Sequence, residues 1–157
     1  MKILVSDCQN AVSVCPKSVK SVVSAVLRFL DVFTDELSIR FVSEEEMCDL
    51  HLRFFNDPSS TDTISLPMDF PTSEKTDFHV LGEVFINPQA AIDFLNSRKT
   101  GKKFDLYKEI TLYLVHSVLH LCGYDDVNHN DRKTMRLKES EILNLLQNDD
   151  ILITSKT

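Results

Sequence analysis

Polar and hydrophobic positions follow two different periods in the first part of the chain. Apolar residues recur every three or four positions after Pro16, which predicts an amphipathic helix over Lys17–Asp31. In Leu37–Phe41 they recur at every second position, the period of a strand with one buried face. A short apolar run predicts an earlier strand over Lys2–Ser6. The chain is therefore expected to begin with a strand, a helix and a second strand.

The same patterns, together with capping residues, predict the remaining elements. Ser43 and Glu46 form a capping box ahead of a helix whose buried face is predicted to include Met47, Leu50 and Phe54. The later predictions are, in chain order, strands over Thr61–Leu66 and His79–Ile86 and helices over Pro88–Asn96, Asp105–Cys122 and Asn130–Gln147. This order predicts the α+β class, a single domain over residues 1–151 with a mixed, mostly parallel four-stranded sheet packed with helices. Leu152–Thr157 is expected to be a frayed, polar tail.

Composition and charge narrow the class of protein. The chain has 157 residues and a formal net charge of −7, which argues against a protein that coats nucleic acid without specificity. The apolar patch at the amino terminus is too short for a signal peptide, and no stretch is long enough to span a membrane. We therefore expect a cytoplasmic protein without a membrane partner. Its four cysteines show no CxxC pairing and are expected to be free thiols.

One basic segment stands out in this acidic chain. The segment SRKTGKK carries four cations, Arg98, Lys99, Lys102 and Lys103. They can contact the phosphates of a bound RNA, or they can simply form a solvated loop. Both interpretations remain open at the level of the sequence.

The segment HSVLHLCGYDD carries the candidate chemistry. His116 and His120 are four residues apart, so on a helix their side chains project from the same face. Two imidazoles one turn apart can share one metal ion, and neutral imidazole suits zinc, nickel and copper. Alternatively, both are core histidines that are hydrogen-bonded to backbone groups or carboxylates. A metal site is thus predicted on a helix in the C-terminal half of the chain and on the turn that follows it.

A catalytic zinc site usually has three protein ligands, so a third ligand is needed. Gly123 can end the helix in a left-handed conformation, which places the third ligand just after it. Asp126 is the better placed candidate, and His129 is the alternative ligand. Asp125 can orient a ligand histidine through a hydrogen bond or can simply form the turn. Cys122 lies on another side of the helix and is expected to be part of the core.

The motifs resemble those of a known family. HSVLHLCGYDD closely resembles the H-G-x-L-H-L-x-G-Y-D-H signature of the YbeY endoribonucleases. TDTISLP, LGEVFIN and MRLKESEIL resemble the family's T-D-V-L-S-F-P strand, its L-G-D-I-x-I strand and its closing helix pattern M-x-x-x-E-x-x-I-L. The resemblance implies a metal-dependent endoribonuclease specific for single-stranded RNA. Such an enzyme matures ribosomal RNA, especially at the 3′ end of the small subunit, and takes part in ribosome quality control.

The resemblance also implies a cofactor, partners and site residues. The family's three histidine ligands correspond to His116, His120 and Asp126, which would hold one divalent ion, usually zinc. His116 thereby acquires a catalytic role as a ligand of the catalytic metal. The implied partners are single-stranded ribosomal RNA and, beyond it, ribosomal small-subunit proteins or an assembly GTPase.

The chain departs from the family pattern at several positions. Asp126 replaces the third histidine, which adds negative charge, makes a metal-bound water less acidic and can shift the preference toward manganese or magnesium. Ser117 replaces a glycine. Phe55 stands where the family has an arginine thought to serve catalysis, and Arg53 is the candidate substitute. His51 occupies an asparagine position of the family.

The predicted mechanism is metal-assisted phosphodiester hydrolysis, with Arg53 stabilising the charge on the phosphorane. The nucleophile is either water or the RNA 2′-hydroxyl. Two other functions compete with this one. A metalloprotease would need a glutamate directly after the first histidine, where this chain has Ser117. A ribosome-assembly binding factor would use the metal only as a structural clamp, with weak or no catalysis.

Overall fold

The computed structural model describes residues 1–75, 77–98 and 103–156, with the backbone only for 103 and 104. Within these residues the chain forms four strands and five α-helices: β1 (Lys2–Cys8), α1 (Pro16–Phe29), β2 (Glu36–Val42), α2 (Glu44–Phe55), β3 (Thr63–Pro67), β4 (Val80–Ile86), α3 (Pro88–Ser97), α4 (Lys103–Leu121) and α5 (His129–Asn148). The type and order of every predicted element are confirmed, and the boundaries differ by one or two residues. For example, α4 starts before Asp105, which lies in the first turn of the helix rather than at its cap.

The strands form one mixed sheet in the order β1-β2-β4-β3. β1 and β4 both run parallel to β2, which lies between them, and β3 runs antiparallel to β4 at the edge. Since parallel neighbours need a crossover, α1 connects β1 to β2. β3 follows α2 and adds to the far side of β4. The predicted mixed, mostly parallel four-stranded sheet is confirmed.

The main hydrophobic core lies between one face of the sheet and the helices. Every second residue of β2, at Leu37, Ile39 and Phe41, is buried there. The helices contribute apolar side chains from α1, α4 and α5 to the same cluster. Among the described residues, no helix has both the length and the apolarity required to cross a bilayer.

A second, smaller cluster supports α2 on the other face of the sheet. Phe85 belongs to this cluster, whereas its neighbours in β4 belong to the main core, because successive side chains of a strand point to opposite faces. Phe85 pairs with Ile64 of β3, and both pack with Met47 and Leu50 of α2. These contacts hold α2 against β3 and β4. The prediction that Phe54 is buried is wrong, since it is 45% exposed.

The end of α4 approaches the junction of β3 and β4 at a glycine. Gly82 has a φ of +154°, and a Cβ added there would lie 2.5 Å from the carbonyl oxygen of Leu66 and 2.7 Å from Leu121. A side chain at this position would therefore clash with the backbone of β3 and displace the end of the Leu121 side chain. Because Gly82 has no side chain, Leu121 at the end of α4 packs directly against this part of the sheet.

The expectation of a frayed tail is not met at residues 152–156. Ile153 is only 1% exposed, and its backbone N–H donates to the Thr111 hydroxyl at 3.1 Å. The Thr154 carbonyl accepts a hydrogen bond from the backbone of Cys15 at 2.8 Å. The tail is ordered because the Ile153 side chain is buried and the backbone of residues 153 and 154 bonds to α4 and to the residue before α1, and the local sequence does not reveal these distant partners.

Candidate functional site

Helix α4 presents two imidazoles to one cleft. His116 and His120 lie on the same face, with ring centroids 4.5 Å apart and the ring planes nearly perpendicular. Their neighbours Val115 and Leu119 are fully buried in the main core. Both imidazoles remain partly exposed, with 26% and 23% of each side chain accessible. The face of α4 next to the sheet edge therefore carries ligands, while the rest of the helix anchors them.

The turn after α4 brings a carboxylate to these imidazoles. Gly123 has a φ of +94°, and its N–H donates to the carbonyl of His120 at 3.1 Å. The predicted helix end at this glycine is confirmed. The chain then reverses, so that Asp126 Oδ2 lies 3.4 Å from His120 Nε2 and 3.6 Å from His116 Nε2.

The distances among these three ligand atoms suit one metal ion. The two Nε2 atoms are 3.0 Å apart, so the three separations are 3.0, 3.4 and 3.6 Å. Tetrahedral zinc, with bonds of about 2.0–2.1 Å to nitrogen and oxygen, would separate its ligand atoms by roughly 3.3 Å. His116, His120 and Asp126 therefore form a group that can hold a metal ion.

The hydrogen bonds of the two rings direct their lone pairs toward the same point. His120 Nδ1 lies 3.0 Å from the Tyr124 carbonyl, which can only accept, so Nδ1 carries the hydrogen. His116 Nδ1 lies 3.4 Å from Glu139 Oε1 and donates to that carboxylate. Each Nε2 is thus left with its lone pair facing the other at 3.0 Å. Two facing lone pairs repel each other unless a cation satisfies both, either a proton on one nitrogen, which makes the contact a hydrogen bond, or a divalent metal.

Glu139 is a site residue that the analysis of the sequence missed. It lies on α5, and its side chain is only 14% exposed. Two roles were predicted for Asp125, and its carboxylate accepts from the backbone N–H of Asp126 at 2.9 Å, which agrees with the role of a turn former. The signal for Glu139 was present in MRLKESEIL, where it is the glutamate of the closing helix pattern.

The electrostatics of the site favour a positive charge. Burial acts to lower the pKa of His116, but the hydrogen bond and the charge of Glu139 outweigh it, with a further contribution from Asp126. The pKa of His116 is therefore raised above its ordinary value. A group of carboxylates that stabilises imidazolium also stabilises a bound metal cation, which competes with the proton for Nε2.

These ligands open into a cleft of about 590 Å³. One wall is α4 with its following turn, and the other consists of the end of α2 and the edge strand β3. His51 and Phe55 line the cleft from α2. Ser65 lines it from β3, and Asp62 lines it from the position just before that strand. Ser65 ties the two walls together, since its hydroxyl donates to the Ser117 carbonyl at 3.3 Å. The open shape admits an extended polymer to the predicted metal ligands.

Two other predicted site residues lie elsewhere. His129 is the exposed first residue of α5 and lines a separate surface depression with Arg132 and Arg136. Arg53 is exposed on the last turn of α2, outside the residues that line the cleft, and its predicted catalytic role stays a prediction. The structure brings Phe55, rather than Arg53, to the wall of the cleft.

The basic segment is described only at its first cation. Arg98 is exposed at the end of α3, where its guanidinium lies 4.9 Å from the centre of the Phe94 ring. Lys99, Lys102 and the side chain of Lys103 lie outside the described residues. The predicted RNA contact of this segment therefore stays a prediction.

Cys122 packs against the core, as predicted from its position on α4. Burial raises the pKa of its thiol to about 12. The thiol is therefore protonated near neutral pH and is a poor metal ligand.

Comparisons with known proteins agree with the motifs. A family model described as Endoribonuclease YbeY matches residues 5–147. The protein named Endoribonuclease YbeY in Chlamydia pneumoniae is 43% identical over 155 residues, which cover 99% of this chain and 97% of that protein. The protein of the same name in Protochlamydia amoebophila is 44% identical over 122 residues, covering 78% and 76%.

A solved structure shares the fold. The solution structure of a Thermotoga maritima protein, 17% identical in sequence, matches with a TM-score of 0.62 and covers 94% of this chain and 90% of that one. The family match extends over nearly the whole chain, from β1 to the end of α5. This protein therefore belongs to the YbeY endoribonuclease family.

Proposed function

We propose that this protein is an endoribonuclease that cleaves single-stranded RNA with the help of one divalent metal ion. Its role would be the maturation of ribosomal RNA, at the 3′ end of the small subunit, and ribosome quality control. The name shared by its relatives and the match to their family support the activity. His116, His120 and Asp126 would hold the metal, with zinc as the first choice.

The observation that carries this proposal is the convergence of three ligand atoms on one open cleft. Two imidazole lone pairs and one carboxylate oxygen lie 3.0–3.6 Å from one another, and the cleft beside them is open to solvent. A purely structural zinc site is usually closed by four protein ligands, whereas a catalytic site keeps one position free. Three ligands at the wall of a cleft match the catalytic arrangement.

A divalent metal in this position would polarise a phosphoryl oxygen and make a water molecule more acidic. The protein's own residues prepare the site for it. Glu139 and the Tyr124 carbonyl hold the two rings in the tautomer that leaves each Nε2 free. Asp126 supplies negative charge to the cation, and its position depends on the turn at Gly123.

The first experiment compares wild type with Asp126→Ala and His129→Ala. Metal content is measured by mass spectrometry of the purified proteins, and cleavage is measured on single-stranded RNA with a duplex of the same sequence as control. We expect one metal per chain in wild type, lost together with cleavage in Asp126→Ala and kept in His129→Ala. Loss of metal only in His129→Ala would identify His129 as the third ligand and overturn the assignment.

A second candidate function is a ribosome-assembly factor in which the metal is structural. One observation favours it, because among the described residues that line the cleft there is no lysine or arginine. Metal removal with a chelator separates the two functions. Loss of folding together with the metal, measured by circular dichroism, would favour the assembly factor, whereas loss of cleavage with the fold intact supports the nuclease.

The structure offers no support for the metalloprotease. Ser117, at the position of the required glutamate, is fully buried, and its hydroxyl donates to the Tyr113 carbonyl at 2.8 Å. A serine held in this way has no basic group to offer to a substrate. The ribosomal partner proteins, the assembly GTPase and the cytoplasmic location stay predictions.

A further inference from the structure

His51 lines the cleft from α2, on the wall opposite the predicted metal ligands. The ring is partly exposed, and the cleft that it lines also contains His116, His120 and Asp126. An imidazole is the side chain whose ordinary titration lies closest to neutral pH.

The loop after α2 sets the tautomer of His51. Its Nδ1 lies 2.7 Å from the Ser59 carbonyl, which can only accept, so Nδ1 carries a hydrogen. Asp57 holds that loop in place, since its Oδ1 accepts from the backbone N–H of Ser59 at 2.9 Å and from its hydroxyl at 2.6 Å. The ring nitrogen that remains available to exchange a proton with a ligand in the cleft is therefore Nε2.

Phe55 fixes the orientation of the same ring from the side. Its ring centre lies 5.5 Å from that of His51, with the planes inclined by 57°. Phe55 follows His51 by one helical turn and is itself 55% exposed. A ring held by a hydrogen bond on one edge and an aromatic contact on its side keeps its position without support from the substrate, as a catalytic group requires.

Phosphodiester cleavage in this cleft requires a proton donor that the metal ligands do not supply. Cleavage of a phosphodiester releases an alkoxide, which needs a proton. The other titratable groups that line the cleft are His116, His120, Tyr124, Asp62, Asp125 and Asp126, and a phenol is a much weaker acid than an imidazolium. Asp49 and Arg53 lie two positions from His51 in the chain, and Asp57 lies in the loop after α2. Two of these histidines direct Nε2 toward the metal position, and ordinary carboxylic acids are ionised at neutral pH. His51 is the remaining imidazole of the cleft.

We propose that His51 is the general acid of the cleavage reaction, a proposal that rests on the function proposed above. As the nucleophile bonds to phosphorus, the bond from phosphorus to the leaving oxygen breaks, and its electron pair stays with that oxygen. The Nε2–H of protonated His51 gives its proton to the leaving oxygen. The nucleophile releases its own proton to solvent, and His51 regains one from water, so that the enzyme is unchanged after each cycle.

The deciding experiment replaces the leaving oxygen by sulfur. Thiolates leave without protonation, so an RNA with sulfur at the bridging leaving position does not need a general acid. Two substrates, with sulfur at the 3′ or the 5′ bridging position, cover both directions of cleavage. The enzymes are the metal-loaded wild type, His51→Ala, His51→Asn and, as a matched control on the exposed side of α2, Asp49→Ala.

On ordinary RNA we expect His51→Ala and His51→Asn to lower kcat by about 10²–10⁴-fold, the usual contribution of a general acid. On the RNA whose leaving atom is sulfur, both variants should approach the wild-type rate, and added imidazole should partly restore His51→Ala on ordinary RNA. Metal content should be unchanged in all four proteins. Since the test compares two substrates within one preparation, partial unfolding of a variant does not alter the ratio.

An equal loss on ordinary and sulfur-containing RNA, or no loss at all, would overturn the role of His51. In that case wild type still cleaves RNA, and the proposed nuclease function stands. Absence of RNA cleavage by metal-loaded wild type would instead overturn the nuclease function and this proposal with it.

Discussion

Glu139 offers the sharpest test of how the fold prepares the metal ligands. The substitution Glu139→Gln keeps the size of the side chain and an oxygen that can accept from His116 Nδ1, but it removes the negative charge. The carboxylate lies 3.4 Å from that nitrogen and is only 14% exposed, so solvent screens it little. Loss of such an outer hydrogen-bond partner typically costs 10–100-fold in metal affinity, which is about 1.4–2.7 kcal/mol of binding free energy.

The matched control is Glu141→Gln on the same helix. Glu141 pairs with Lys138 at 3.1 Å but is 56% exposed, so its charge is screened by solvent. We would measure zinc affinity by competition with a chromophoric chelator near neutral pH, for wild type and both variants. Glu139→Gln should bind zinc about 10–100-fold more weakly, and Glu141→Gln should match wild type. Equal affinity in all three proteins would refute the idea that Glu139 holds His116 for the metal.

Three further predictions concern other charged or titratable groups. Burial and the charge of Asp62 raise the pKa of Glu109, so its stabilising contribution is present below the unfolded pKa and is lost as pH rises through the folded pKa. Glu109→Gln should therefore raise the Tm at neutral pH and leave it unchanged in acid, and the same Tm gain at both would contradict this. Iodoacetamide should alkylate Cys15 well before Cys122 in peptide mapping, because hydrogen bonds led by the backbone of Ser18 lower the pKa of Cys15 and burial raises that of Cys122. The predicted catalytic role of Arg53 requires Arg53→Ala to lower kcat for RNA cleavage by about 100-fold, and an unchanged kcat, as expected for a residue that does not line the cleft, would overturn that role.

Local patterns in the sequence predicted most of the fold. The periods of apolar residues and the capping residues predicted every element, because each depends on neighbours within one or two turns. The order of these elements along the chain then predicted the mixed sheet. His116, His120 and the stop at Gly123 belong to the same class of signal, since the spacing of residues on one helix determines which of them share a face.

Only the tertiary structure decided which distant residues complete the site. Glu139 meets His116 across 23 positions of the sequence, and α2 brings His51 and Phe55 to the cleft while Arg53 stays outside it. The tail was misjudged for the same reason, because Ile153 is buried against partners more than 40 positions away. A helix turns by about 100° per residue, so a small difference in its orientation exchanges which side chain faces the cleft. That orientation is set by packing between elements, such as Phe85 and Ile64 beneath α2, and the local sequence does not contain it.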